Sequence, residues 1–135
     1  MDILDQLKRD EGNKQFPYTD TVGKITIGVG FNLTDVGLSQ DEIDYILQAR
    51  VNKVAASLAP YDWYAKLDPV RQAAIQNMTY NMGLNSLLHF PSMIHYLAVQ
   101  DWANASAQAL DSLWASQVGD RAKRISQQLL TGEWV

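Results

Sequence analysis

The spacing of apolar residues changes character along the chain, and each change predicts an element. In residues 2–11, Ile3, Leu4 and Leu7 fall on one helical face, with Asp2 placed to cap the start and Gly12 to end it. From Phe16 to Leu33 the helical spacing is lost. Phe16, Tyr18 and the run K-I-T-I-G-V-G predict a β-hairpin with Gly23 in its turn. Gly28 and Gly30 would weaken an ordinary strand, so they predict a close approach of another group to the backbone. Ser39 and Glu42 form a capping-box pattern, followed by Ile43, Ile46, Leu47, Val51, Val54 and Leu58 at helical spacing up to Pro60. Asp68 and Pro69 open a helix that runs to Gly83, and Pro91 opens another. Further helices are expected from about Asp101 to Trp114 and from a cap at Asp120 to Gly132.

These elements predict an α+β fold, mostly helical, in one domain of 135 residues. A small β segment covers about 13–38, and a long helix over about 39–59 joins it to a helical part. That part comprises about 60–135 together with the N-terminal helix 2–11. No repeat, low-complexity tract or flexible linker interrupts the pattern. Composition is ordinary for a globular chain, with 47% apolar and 19% charged residues. A formal net charge of -4 gives no sign of nucleic-acid binding. The absence of cysteine excludes disulfides and thiolate metal sites. The first ten residues lack the basic start and continuous apolar core of a signal peptide, so synthesis in the cytoplasm is expected.

Candidate chemistry concentrates in the segment D-E-G-N-K-Q-F-P-Y-T-D-T-V-G-K-I-T-I-G-V-G. It brings Glu11, Asp20 and Thr26 into one short stretch. Breaking a glycosidic bond with water needs a carboxylic acid to protonate the leaving oxygen and a carboxylate to handle the water. A partly desolvated glutamate can remain an acid near neutral pH. Glu11 ends a predicted helix, where the negative end of the dipole favours the protonated form. Asp20, in a polar turn, is expected to be ionised, and a turn centred on Gly23 would set it across from Thr26. Taken singly, an acid at a helix end and an aspartate in a turn are ordinary surface features. His89 and His95 have no partners at metal-ligand spacing and are expected to be surface or core residues. Trp102, Trp114 and Trp134 are expected in the helical core.

The segment D-E-G-x-x-x-x-x-Y-x-D-T-x-G-x-x-T-I-G-x-G closely resembles the phage-type lysozymes, the muramidases of glycoside hydrolase family twenty-four. D-P-V-R-Q-A-A-I-Q-N-M-T-Y-N-M-G, from Asp68 to Gly83, is similar to that family's central buried helix. R-A-K-R-I from Arg121 and T-G-E-W from Thr131 resemble its C-terminal signature, so the likeness spans most of the chain in order. The resemblance implies a lysozyme-like fold with Glu11 as general acid. It implies Asp20 and Thr26 as the pair that positions an attacking water, with inversion at the sugar. It implies that Arg121 pairs with and orients Glu11, and that Asn32 and Tyr80 line the substrate cleft. Met93 and Gln108 also fall at lining positions, with atypical residue types. The implied substrate is peptidoglycan, cut between N-acetylmuramic acid and N-acetylglucosamine. No metal or organic cofactor is implied. A monomer without nucleic-acid or membrane partners is expected, which as a phage lysis enzyme would need a holin to reach the wall.

Three departures qualify the likeness. Phe31 stands where many relatives carry a structural histidine. The stretch from Phe31 to Ser39 is short, so the β lobe is expected to be trimmed. The chain is acidic where many relatives are basic, which predicts weaker and less salt-inhibited binding to an anionic wall. Two other readings compete. A lytic transglycosylase needs one carboxylic acid and no water-activating aspartate, so Asp20 and Thr26 argue against it. A non-catalytic wall-binding module would have no need for Glu11, Asp20 and Thr26 together.

Overall fold

The computed structural model describes all residues from Met1 to Val135. The chain divides into two compact units, Met1–Ile46 and Leu47–Val135. The first unit opens with α1 (Ile3–Glu11). Asp2 caps it by accepting from the Asp5 backbone N–H, and the Asp5 side chain accepts from the Asp2 N–H in return. Gly12 ends the helix at φ 85°. Three antiparallel strands follow in the order β1 (Lys14–Thr19), β2 (Ile25–Gly28) and β3 (Phe31–Asn32). The expected hairpin therefore gains a short third strand. Gly23 occupies the first turn at φ 84°, donating its N–H to the Asp20 carbonyl.

Ser39 and Glu42 make the capping box in both directions and start α2 (Gln40–Leu58). The Glu42 carboxyl is held below its ordinary pKa chiefly by the Ser39 backbone N–H, with the Ser39 hydroxyl adding to it.

In the second unit, α3 (Asp62–Ala65) and α5 (Leu84–Leu87) are single turns that the residue pattern did not predict. α4 (Pro69–Met82) has Asp68 as its cap, Pro69 in its first turn and Gly83 at its end, as expected. α6 (Pro91–Ala98) likewise starts at Pro91. The helix expected over 101–114 is two helices, α7 (Trp102–Leu110) and α8 (Leu113–Val118). The break has a local cause. The Ser112 hydroxyl donates to the Ala109 carbonyl and accepts from the Ala115 N–H, closing one helix and capping the next.

α9 (Asp120–Thr131) is capped by Gly119 rather than Asp120. Gly119 holds φ 59° and ψ -121°, a conformation that suits only glycine, so Asp120 becomes the first helical residue. There its charge faces the positive end of the helix.

The core lies in this second unit. Leu58, Ile75, Met78, Leu87, Met93, Leu97, Ile125 and Leu129 are its largest fully buried side chains. α7 packs on α9, with Ala105, Ser106 and Ala109 buried on the first and Ala122, Ile125 and Ser126 buried on the second. The Ser106 hydroxyl donates to the Ser126 carbonyl at 2.9 Å, so the buried polar pair is satisfied. Trp114 is buried and donates its indole N–H to Asn81 at 2.8 Å. Trp102 is half-buried, whereas Trp134 is exposed. Trp134 lies past Gly132, beyond the last helical residue, where no packed element carries it inward.

Arg71 joins the start of α4 to the end of α9. Its Nε donates to the Leu129 carbonyl at 2.7 Å and its Nη2 to the Leu130 carbonyl at 3.0 Å. Its Nη1 meets Asp68 Oδ1 at 2.9 Å, and its guanidinium lies 3.9 Å from the Trp102 ring centre. One cation thus satisfies carbonyls that α9 leaves free at its C-terminus. Burial pushes the Asp68 carboxyl up, but the hydrogen bonds from the Arg71 side chain and backbone and the Arg71 charge outweigh it. The net result lies below the ordinary 3.8.

Arg71→Ala is expected to cost about 3 kcal/mol, the range for breaking a half-buried charged network. A urea melt checks it. Because the Asp68 pKa is depressed on folding, its stabilising contribution is complete above the unfolded-state value. It is lost as pH falls through the lower folded-state value. Arg71→Ala should therefore shrink the acid-side loss of stability as well as the total.

Candidate active site

The first unit carries Glu11, Asp20, Thr26 and Asn32, and the second carries Tyr80 and Arg121. Glu11 is the last residue of α1 and is exposed. Its side chain lies over Gly30. A Cβ on Gly30 would sit 2.8 Å from Glu11 Oε2 and 3.2 Å from its Cβ and Cδ. Gly30 also holds φ +66°. The close approach predicted from the glycines is therefore the Glu11 carboxyl at Gly30. At Gly28 it is the Phe31 ring, whose nearest atom would lie 2.5 Å from an added Cβ.

Asp20 lies in the turn after β1. Its Oδ1 accepts two backbone N–H groups, from Val22 at 3.0 Å and from Lys24 at 2.8 Å. Its own N–H donates to the Lys24 carbonyl at 2.9 Å. These contacts fix the carboxylate at the turn.

Thr26 does not sit directly across from Asp20. The sheet register pairs Thr26 with Tyr18, and Asp20 bonds to Lys24, two pairs further along the same ladder. Strand alternation leaves Asp20 and Thr26 as diagonal neighbours on one face. The cause is turn length: the Asp20–Lys24 bond closes the loop two residues before Thr26. The Thr26 hydroxyl is buried and donates to the Lys24 carbonyl at 3.3 Å. On its other side Thr26 pairs with Asn32 of β3. One β strand thus places Thr26 between the turn that carries Asp20 and the strand that carries Asn32.

In the second unit, Tyr80 is 44% exposed and lines a pocket of about 240 Å³ with Leu47, Val51, Val54, Asn77 and Arg121. Arg121 donates from Nε to Asn77 Oδ1 at 2.9 Å. Met93 is fully buried, and Met93 and Gln108 line a different pocket of about 430 Å³ beside Trp114. His89 is exposed, with Nδ1 2.6 Å from the Asn85 carbonyl, and His95 is exposed as well.

Sequence reasoning passed over Lys24, whose backbone binds both Asp20 and Thr26, and Asn77, which holds Arg121. Lys24 had one available signal, its position directly after the turn glycine. Asn77 had none, because the contact joins residues 44 apart.

The family model described as Phage lysozyme matches residues 8–129. A relative described as "Probable T4-type lysozyme 1" from Dictyostelium discoideum is 26% identical, covering 96% of this chain and 94% of its own. A second from the same organism, "Probable T4-type lysozyme 2", has the same identity and coverage. The pre-baseplate central spike protein Gp5 of Enterobacteria phage T4 is 29% identical over 98% of this chain but only 28% of its own length. The first of these alignments spans 160 positions against a chain of 135 residues, so that relative carries segments this chain lacks.

Proposed function

The chain belongs to the phage lysozyme family, and from that premise we propose that it is a muramidase of bacterial peptidoglycan. The bond cut is the β-1,4 link from N-acetylmuramic acid to N-acetylglucosamine. The setting proposed is phage-mediated lysis of the host, with release to the wall through a holin and action as a monomer. No helix is long and apolar enough to cross a membrane.

The observation that carries the mechanism is the Asp20 carboxylate, held by two backbone N–H groups on the same face as the Thr26 hydroxyl. A water held between a carboxylate and a hydroxyl can give one proton to each as hydrogen bonds. Its lone pair is then left for the anomeric carbon. Glu11 protonates the leaving oxygen from the other side, and the product is inverted. A bound glycan would exclude water from the exposed Glu11 carboxyl and strengthen this step. Arg121 is assigned to orient Glu11. Asn32 supplies an amide for sugar polar groups, and Tyr80 an apolar ring face.

Digestion of purified peptidoglycan, with products separated by mass, tests the reading. Reducing N-acetylmuramic acid ends are expected. Anhydro ends would replace hydrolysis with transglycosylation, and no products would favour a wall-binding module. Asp20→Asn is expected to lower kcat by about 10²-fold with little change in KM, because it removes the base and keeps the shape. A rise in KM alone would make Asp20 a sugar contact.

A further inference from the structure

We propose that Asp35 is a positioning residue that orients Asn32 for substrate and ties it to the turn carrying Asp20. The inference rests on the muramidase reading above and adds a residue that reading does not use. Asp35 follows β3 in the short stretch before α2. Its backbone N–H donates to Asn32 Oδ1 at 3.0 Å. Its Oδ2 accepts from Asn32 Nδ2 at 3.2 Å. Its Oδ1 meets Lys24 Nζ at 3.2 Å.

The chemistry of these contacts fixes the Asn32 amide. A backbone N–H can only donate and an ionised carboxylate can only accept. The amide oxygen must therefore face the Asp35 N–H, and its NH2 must face the Asp35 carboxylate. One N–H and one oxygen lone pair of Asn32 are left over. Each can meet a hydroxyl or an acetamido group of a sugar.

The other arm reaches the catalytic turn. Lys24 gives its backbone N–H to Asp20 and accepts at its carbonyl from Thr26, while its side chain holds Asp35. Asp20, Thr26 and Asn32 are thus all tied to one Lys24–Asp35 pair. Both members are partly exposed, with side chains 37% and 50% accessible. Exposed pairs of this kind contribute little to stability. The arrangement is better suited to orientation than to holding the fold.

The test is a mutant cycle on peptidoglycan cleavage. Asp35→Ala is expected to raise KM about fivefold, the worth of one well-placed hydrogen bond, with the melting temperature unchanged. Asn32→Ala should do the same. The double variant should be no worse than Asn32→Ala, because Asp35 acts through Asn32. Asp35→Asn should recover part of the loss, since its oxygen can still accept from Asn32.

A second readout does not depend on activity. The Asn32 side-chain amide resonances should shift in Asp35→Ala and change less in Asp35→Asn. Unchanged KM with unmoved amide resonances would overturn the proposal while leaving the muramidase reading intact, as would additive effects in the cycle. A wild type that releases no reducing ends would overturn the reading first, and the role of Asp35 with it.

Discussion

Glu11→Gln is expected to reduce peptidoglycan cleavage by about 10³-fold while the protein stays folded. The amide keeps the size and hydrogen-bonding shape of the side chain but cannot deliver a proton to the leaving oxygen. Glu11 ends α1 and is exposed, so its charge supports no buried contact. The change in stability should stay within about 0.5 kcal/mol. Rates on purified peptidoglycan and a thermal melt, made on the same preparation, separate the two quantities. Turnover near the wild-type value would remove Glu11 as the acid. Loss of activity together with loss of the melting transition would mean that the substitution had reported on folding instead.

The second large effect is expected at Gly30. Gly30→Ala places a methyl group 2.8 Å from Glu11 Oε2 and 3.2 Å from two of its carbons. It also puts an L-residue at φ +66°. The backbone term costs about 1–2 kcal/mol. The contact cannot be relieved by the carboxylate oxygen alone, because Cβ and Cδ are crowded as well, so the whole Glu11 side chain must move. A displacement of about 1 Å at a catalytic group can lower the rate by about 10²-fold.

Gly28→Ala is the comparison. Gly28 has the same φ, +66°, but its added Cβ would strike the Phe31 ring and not Glu11. Both variants should lose stability, and only Gly30→Ala should lose the rate by about 10²-fold. Equal rate losses would show that backbone strain in β2 and its turn, and not the Glu11 contact, limits activity.

The two comparisons bear on what the glycines in T-I-G-V-G are for. Their sequence position said only that something comes close. The structure assigns one to an acid side chain and the other to an aromatic ring. The Phe31 ring is the group that packs over Gly28.

Much of the fold was legible in the residues because its limits are set locally. Asp2 and Gly12 bound α1, Asp68, Pro69 and Gly83 bound α4, and Gly132 ends α9 in the left-handed conformation. Each of those signals acts through a hydrogen bond or a φ preference within about four residues, a range over which sequence and structure are nearly the same thing. The Ser112 break between α7 and α8 is equally local. It was passed over because the apolar spacing runs on through it while the hydroxyl diverts the backbone bonds. The chemistry-bearing residue types, Glu11, Asp20 and Thr26, were legible for the same reason, as a short motif in one segment.

Tertiary structure decided what required distant partners or a strand register. The Asp20–Lys24 bond sets Thr26 opposite Tyr18 rather than Asp20, and a shift of two residues along the ladder cannot be read from composition. Arg71 anchors the end of α9 from a position 58 residues earlier, and Asn77 takes hold of Arg121 across 44 residues. Trp134, aromatic enough to suggest a core position, is exposed because the chain has already left α9 when it arrives. The residue types and the helix limits were thus determined by the sequence through short-range sterics and capping. Which side chains meet, and which carboxylate is held still beside which hydroxyl, was decided by the packing of segments that local forces leave free.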